Sequence, residues 1–406
     1  MTRSWKNWAG NVSFEPRSRV EPGSEGEVVD AVRRAAAEGL TVRAAGAGHS
    51  SSPLVETEGV LIDLARISDL ESISQDRSRA TVGSGTRLAD VNEMLFQEDR
   101  MLENLGDVAY QAIAGAIATG THGSGRGLTN LSGMVEGGRL VSGTGEVVEF
   151  TDDDEELLRA ARVSLGCLGV FTALTVRVVA PYRLHRREWC TSTEACLENL
   201  EELMNTNRHF DFYWYPRRDE VKLRTWNPPG ECPDLSAFAQ LVKREDGWAK
   251  EVLAKEQPLR FHELEYGLAL ENGPDCFLAI RERILDRHRK HVAWRVLCRP
   301  VAADDAFLSN ATGRETLAIT VHQNNTLPHE SYFRDLEPIF REHGGRPHWG
   351  KEHSMHCEPG SLQALYPDWD RFMDVRRRLD PQGIFLSDYM RRLLSLTGEP
   401  HGAEAG

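Results

Sequence analysis

Residues 112–125 read Ala112-Ile113-Ala114-Gly115-Ala116-Ile117-Ala118-Thr119-Gly120-Thr121-His122-Gly123-Ser124-Gly125. Almost every side chain in this run is small. Small side chains fill a core poorly, but they let a backbone lie close to something flat or charged. A second glycine-rich turn, Gly46-Ala47-Gly48-His49-Ser50-Ser51-Ser52, follows the strand-like Thr41-Val42-Arg43-Ala44-Ala45. A third stretch, Leu165-Gly166-Cys167-Leu168-Gly169-Val170-Phe171, precedes an apolar run at 173–179. None carries the lysine of a P-loop. The turn at 46–50 lacks the third glycine of a dinucleotide fingerprint and the acidic residue expected about 20 positions on. Backbone N–H groups in such turns can instead hold a pyrophosphate. Three of them after strand-like segments predict a long ligand wrapped by main chain.

Around these turns the chain alternates short strands and helices. Ser24 and Glu27 form a capping-box pattern ahead of Val28, Val29, Val32 and Ala35, and Gly39 stands at the helix end. Residues 59–64 and 79–83 read as strands, and Thr86 is the expected cap of a helix running to Leu95. Residues 138–142 and 146–150 flank Gly143-Thr144-Gly145 as a hairpin. The acidic run 152–156 predicts a solvated helix start. After Pro181 the glycine motifs stop, and aromatic and charged residues rise, as in Phe210-Asp211-Phe212-Tyr213-Trp214-Tyr215. A helix is expected from the spacing of Trp369, Phe372, Met373, Val375 and Leu379, ended by Asp380-Pro381-Gln382-Gly383. The predicted organisation is 1–180, 181–345, 346–395 and a disordered tail at 396–406.

The bulk numbers exclude several functions. With 406 residues the chain exceeds one ordinary core. A formal charge of −14 argues against nucleic acid and against an anionic membrane surface. No apolar run approaches the roughly 18 residues of a membrane span, and residues 1–8 lack the apolar stretch of a signal peptide. The seven cysteines include no C-x-x-C pair, so neither zinc nor a thioredoxin-like site is expected, and no metal site is assigned. Reduced thiols and a cytoplasmic location are the simple expectation.

The chain resembles the vanillyl-alcohol-oxidase superfamily of FAD enzymes, and within it the sugar-1,4-lactone and alditol oxidases. The resemblance is carried by Asn7-Trp8-Ala9-Gly10-Asn11, Gly46–Ser50, Asn104-Leu105-Gly106, the 114–125 run, Ser164–Val170, Arg346-Pro347-His348-Trp349-Gly350-Lys351 and Leu379–Gly383. It implies an α+β fold: a PCMH-type FAD-binding domain of two subdomains, an inserted α+β substrate cap, and a C-terminal segment returning to the flavin. It implies FAD bonded through its 8α-methyl to His49, a neutral imidazole being a nucleophile. The residues implied along the cofactor are Arg43, Ala45, Gly46, Ala47, Gly48, His49, Ser50, Ser51, Gly106, Asp107, Gly115, Thr119, Thr121, His122, Ser124, Gly169, Val170 and Lys351. His122 is expected to pack or hydrogen-bond rather than form a second link. Lys351 would neutralise charge on the reduced ring. Gly106 would leave room for O2, giving an oxidase that releases hydrogen peroxide from a hydroxylated small molecule. A dehydrogenase passing electrons to a cytochrome or quinone, and a flavin-binding protein without turnover, are the alternatives.

The resemblance breaks in the cap. Polyol and lactone oxidases carry a Glu-x-Arg pair, and here the stretch is Leu297-Cys298-Arg299. Losing that glutamate removes an acceptor for substrate hydroxyls. It points to a substrate less polar than a simple polyol. Glu265-Tyr266-Gly267-Leu268 likewise lacks the Pro-Arg of a second family pattern. Arg299, Lys351, His322 and Asp107 are the expected catalytic residues, with His322 or Asp107 as the base for the hydroxyl proton.

Overall fold

In the computed structural model, which describes residues 4–254, 259–292 and 294–396, Ser24 caps helix Glu25–Ala37 by accepting from the Glu27 N–H. The Glu27 carboxylate accepts from Gly23 N–H rather than Ser24 N–H. Gly39, at φ +65, follows the helix end. Val28, Ala31, Val32 and Ala35 face a parallel sheet ordered Ser18–Val20, Val60–Asp63, Val42–Ala45. Thr86 caps nothing. Its hydroxyl donates to Gly83 O, and Arg87 precedes helix Leu88–Gln97 without a side-chain cap.

A five-stranded antiparallel sheet follows, ordered Leu70–Ile73, Arg79–Gly83, Val170–Arg177, Val135–Val141, Val147–Phe150. Its last two strands are the predicted hairpin. Asp154 caps helix Glu155–Arg162 through Leu157 N–H, as the acidic run suggested.

From Arg183 the chain builds an eight-stranded antiparallel sheet. Its order is Gln240–Trp248, Arg183–Ser192, Glu220–Asn227, His209–Tyr215, Val296–Val301, Thr316–Asn324, Phe261–Ala269, Arg346–Pro347. Strand alternation sorts its residues between two faces. Phe212, Trp214, Leu264, Tyr266, Val296, Cys298, Ile319 and Val321 face one way, against helices Gly273–Arg283 and Glu330–Glu342. Each such aromatic or aliphatic side chain stabilises the fold by about 1.5–3 kcal/mol through burial. The residues between them face the candidate site.

The C-terminal segment ties the large sheet to the glycine turns. Arg346 and Pro347 pair with Gly267 and Tyr266. Gly350 O then accepts from Ser51 N–H at 2.8 Å, and Trp349 O accepts from the Ser52 hydroxyl at 2.6 Å. Helix Trp369–Leu379 buries Phe372, Met373, Val375 and Leu379, matching the predicted spacing. Ile384 O accepts from Val42 N–H at 2.7 Å, which brings the chain back to the parallel sheet. Among the described residues no helix is long and apolar enough to cross a membrane. Of the tail expected to be disordered, residues 397–406 lie outside the described residues, while Leu396 N–H donates to Arg391 O at 2.8 Å.

Candidate active site

Two glycines bring the 46–50 turn against its neighbours. A Cβ on Gly46 would stand 2.4 Å from the Ala112 Cβ, and Gly48 holds φ +65 with Trp5 only 2.9 Å from a would-be Cβ. Neither position admits a side chain. The turn and residues 112–119 thereby wall an apolar cleft of about 870 Å³. Gly46, Ala47, Gly48, Ala114, Gly115, Gly166, Gly169 and Phe171 line it. A second cleft, of about 860 Å³, is lined by Asp107, Glu263, Glu265, Arg295, Arg299, His322 and Lys351. His49, Ser50, Gln111 and Thr119 line both. The apolar slot and the polar chamber therefore meet at His49.

His49 is half-buried. Its ring centroid lies 4.8 Å from Trp8 and 5.0 Å from Tyr110. Its Nδ1 is buried with no hydrogen-bond partner. Burial, with Lys351 and His348 nearby, pushes it down to about 3, so the ring is neutral. A buried, neutral, unpartnered nitrogen at the junction of the clefts fits attachment to a cofactor.

Most of the expected cofactor residues line one cleft or the other. Gly46, Ala47, Gly48, Gly115, Gly169 and Arg43 line the slot, while Ser51, Gly106, Asp107, Thr121, His122 and Lys351 line the chamber. Three do not fit the expectation. Ala45 is a buried strand residue in the cluster of Trp5, Val12 and Leu61. Val170 packs with Val28, Ile62 and Val141. Ser124 lines neither cleft, and its carbonyl faces His209 Nδ1 at 2.9 Å. Arg43 lines the slot, but its guanidinium donates to four carbonyls, those of Leu54, Leu165, Gly166 and Phe385, at 2.7–2.8 Å. It knits three segments together.

The polar chamber is a register pattern. Tyr213 pairs with Leu297, Leu297 with Thr320, and Thr320 with Glu265. Residues directly opposite on neighbouring strands share a face, so these four form one row. Two positions along each strand, Arg299, His322 and Glu263 share the face. All seven line the chamber.

Asp107 does not suit the role of base. Its carboxylate is ion-paired with Arg299 and with Arg224 at 3.1 Å, and Tyr213 OH donates to it at 3.4 Å. Burial opposes ionisation, but the two guanidinium groups hold Asp107 well below the usual carboxylate range. A carboxylate so stabilised has little affinity for a proton. Arg224 also forks onto Asp211 at 2.6 and 2.7 Å. His322 Nδ1 lies 3.0 Å from Arg295 O, so Nδ1–H donates there and Nε2 is left to accept. Burial and then Arg295 push His322 down to about 3, leaving it neutral. Lys351 is ion-paired with Glu263. Burial pushes its ammonium down to about 7, and the Asp107 carboxylate pulls it upward.

Glu263 and Glu265 also line the chamber, although the motif reading assigned neither to the site and quoted Glu265 only within an incomplete pattern. Glu265 faces His122 Nε2 at 2.7 Å and accepts from the Thr320 hydroxyl at 2.7 Å. These contacts, with His348 close by, hold it well below the usual carboxylate range against the effect of burial. The signal was in the sequence: Glu263-Leu264-Glu265-Tyr266 alternates charge with apolar bulk, the pattern of a strand lining a polar chamber on one face. Tyr213 and Arg224 carried no comparable mark.

The glycine-walled slot, His49 at its mouth and a half-buried lysine beyond it suit a flat cofactor with a polyanionic tail. An FAD-binding domain model matches residues 16–151, and a D-arabinono-1,4-lactone oxidase model matches residues 174–242 and 234–393. The L-gulono-1,4-lactone dehydrogenase of Mycobacterium tuberculosis is 37% identical to this chain, covering 97% of it and 100% of the relative. The L-gulonolactone oxidase of Mus musculus is 25% identical, covering 96% of this chain and 98% of the relative. Cholesterol oxidase from Brevibacterium sterolicum shares the fold, with a TM-score of 0.83 at 17% identity, covering 97% of this chain and 96% of that structure. Fold and site define an FAD-dependent oxidoreductase acting on CH–OH groups, with the PCMH-type arrangement of mixed helix and sheet. The chain belongs to the D-arabinono-1,4-lactone oxidase family.

Proposed function

We propose that this enzyme oxidises a carbinol carbon of a sugar lactone or closely related hydroxylated molecule, using FAD carried covalently on His49. The carrying observation is the pair of clefts that meet at His49, one glycine-walled and apolar, the other lined by charge-paired polar groups. When bound, FAD supplies the two-electron acceptor for the hydride. The protein supplies the rest. Lys351 holds positive charge beside the junction, and preorganised charge in a dry site strengthens in effect. Arg299 and Arg224 lock Asp107, which fixes the chamber's shape. His322 Nε2, 3.5 Å from Glu263, is the neutral acceptor for the substrate hydroxyl's hydrogen bond.

The expectation of a less polar substrate, drawn from Leu297, loses its force in this geometry. Two carboxylates from strand Phe261–Ala269 line the same chamber. We assign residues 1–180 and 346–395 to the cofactor unit and 181–345 to the substrate cap, in a cytoplasmic enzyme. Acid precipitation tests the His49 linkage: the pellet should stay yellow and fluorescent, and His49→Ala should release its flavin. Free FAD in the wild-type supernatant would overturn the covalent assignment. Turnover against a panel of 1,4-lactones, aldonates and polyols tests the reaction.

The electron acceptor has two readings. Gly106 supports O2, because the chamber wall carries no side chain at that position. The dehydrogenase name of the Mycobacterium tuberculosis relative supports another acceptor. Stopped-flow mixing of the reduced enzyme with O2 separates them, since an oxidase reoxidises within the turnover time.

A further inference from the structure

We infer that Arg295 anchors a substrate oxygen acceptor, the carbonyl of a lactone or the carboxylate of the corresponding acid, and so selects which hydroxyl is oxidised. This rests on the reaction class proposed above and adds the substrate group that the chamber recognises.

The argument begins with charge pairing. Asp107 is matched by Arg224 and Arg299, Asp211 by Arg224, and Glu263 by Lys351. Glu265 is held by His122 and Thr320. Arg295 also lines the chamber, yet no carboxylate of the described residues lies within 4.0 Å of it. Its Nη2 donates to Tyr213 OH at 3.3 Å, and its Nε is buried without a partner. Arg295 and Arg224 both stack on the Tyr213 ring, at 4.1 and 4.2 Å from its centroid. One of the two cations is in direct ion pairs, and the other has Asp107 only as a more distant counter-charge.

The Tyr213 ring holds the Arg295 guanidinium in place, and among the described residues its Nη1 donates to no acceptor. A guanidinium edge is a rigid fork matched to a carboxylate or carbonyl oxygen. An unpaired cation in a closed chamber is costly until such a partner arrives. The surroundings favour a ring. Phe261 lies 5.0 Å from Trp294 and 5.2 Å from Trp8, making an aromatic wall for the C–H face of a small cyclic molecule. The Arg295 carbonyl also holds His322 Nδ1, so the anchor and the acceptor of the hydroxyl's hydrogen bond share one backbone position. A neutral polyol has no group that would satisfy Arg295 as well.

The test uses FAD-loaded wild type, Arg295→Gln and Arg295→Lys, with L-gulono-1,4-lactone, its hydrolysed acid and the corresponding hexitol. Binding is read from intrinsic tryptophan fluorescence, since Trp8 and Trp294 flank the chamber, and KM and kcat from flavin reduction. Arg295→Gln should weaken binding of the lactone or the acid by about 10- to 100-fold, as expected for a lost charged hydrogen bond. Hexitol binding should change little, and Arg295→Lys should recover part of the loss. Whichever of lactone and acid shows the larger loss is the recognised form. Equal losses for all three ligands, or none for any, would overturn the inference. So would a wild type that binds neither carbonyl-bearing ligand yet oxidises another alcohol, an outcome that leaves the reaction class standing. Lactone binding that depends on Arg295 without flavin reduction would leave the anchor standing and sink the reaction class.

Discussion

Leu297 and Glu265 face the same chamber from strands separated by one, aligned through Thr320 between them. The carboxylate absent from position 297 is thus present in the same row, two strands over. Leu297→Glu would add a second carboxylate there. It should raise kcat/KM for open-chain polyols relative to lactones, measured with matched substrate pairs. An unchanged ratio would mean that the Glu265 side of the row already sets polyol recognition.

Asp107 sits between two arginines and acts as their counter-charge. Asp107→Asn leaves Arg299 with only the more distant Asp211, at 3.7 Å. Stability should fall by about 3 kcal/mol in urea unfolding. The acid limb of the kcat/KM–pH profile should stay in place. Its disappearance would identify Asp107 as the proton acceptor after all.

Lys351 is a half-buried cation pushed down to about 7. Its charge is present below that pH and is lost as pH rises through it. Activity on the free-enzyme profile should therefore decline above about pH 7, and Lys351→Arg should move the decline upward. Lys351→Met should slow anaerobic flavin reduction by about 10²–10³-fold, the scale of a lost preorganised charge contact.

Arg43 spends its donors on main-chain carbonyls. Arg43→Met should cost about 2–4 kcal/mol of stability, because buried acceptors are left unmet. The fraction of flavin retained after acid precipitation should not change. Loss of the linkage at normal stability would show that Arg43 acts on the cofactor directly.

Buried neutral histidines make the fold acid-sensitive. His209, His322 and His353 are pushed down to about 3, and His348 to about 4, chiefly by burial. In the unfolded chain they bind protons below about 6.5. The unfolded state therefore takes up more protons, and stability falls as pH drops from about 6.5 toward 4. Each contributes a loss of about 2 kcal/mol between pH 6.5 and 5. Urea midpoints across that window should fall steeply, and His322→Gln should flatten the slope.

By itself the sequence determined the cofactor half. Glycine spacing in 46–50 and 112–125, the capped helices and the hairpin at 138–150 are local signals, because each is set by backbone geometry within a few residues. His49 and Lys351 stood out through the family resemblance. Ala45, Ser124 and Val170 line neither cleft with their side chains, because a motif marks a segment while side-chain direction within it depends on what packs against each face. Only the tertiary structure decided the substrate half. Tyr213, Leu297, Thr320 and Glu265 come from segments up to 107 residues apart and meet through strand register. Register is set by long-range pairing, so it turned the missing glutamate at Leu297 from a lost acceptor into a rearranged one.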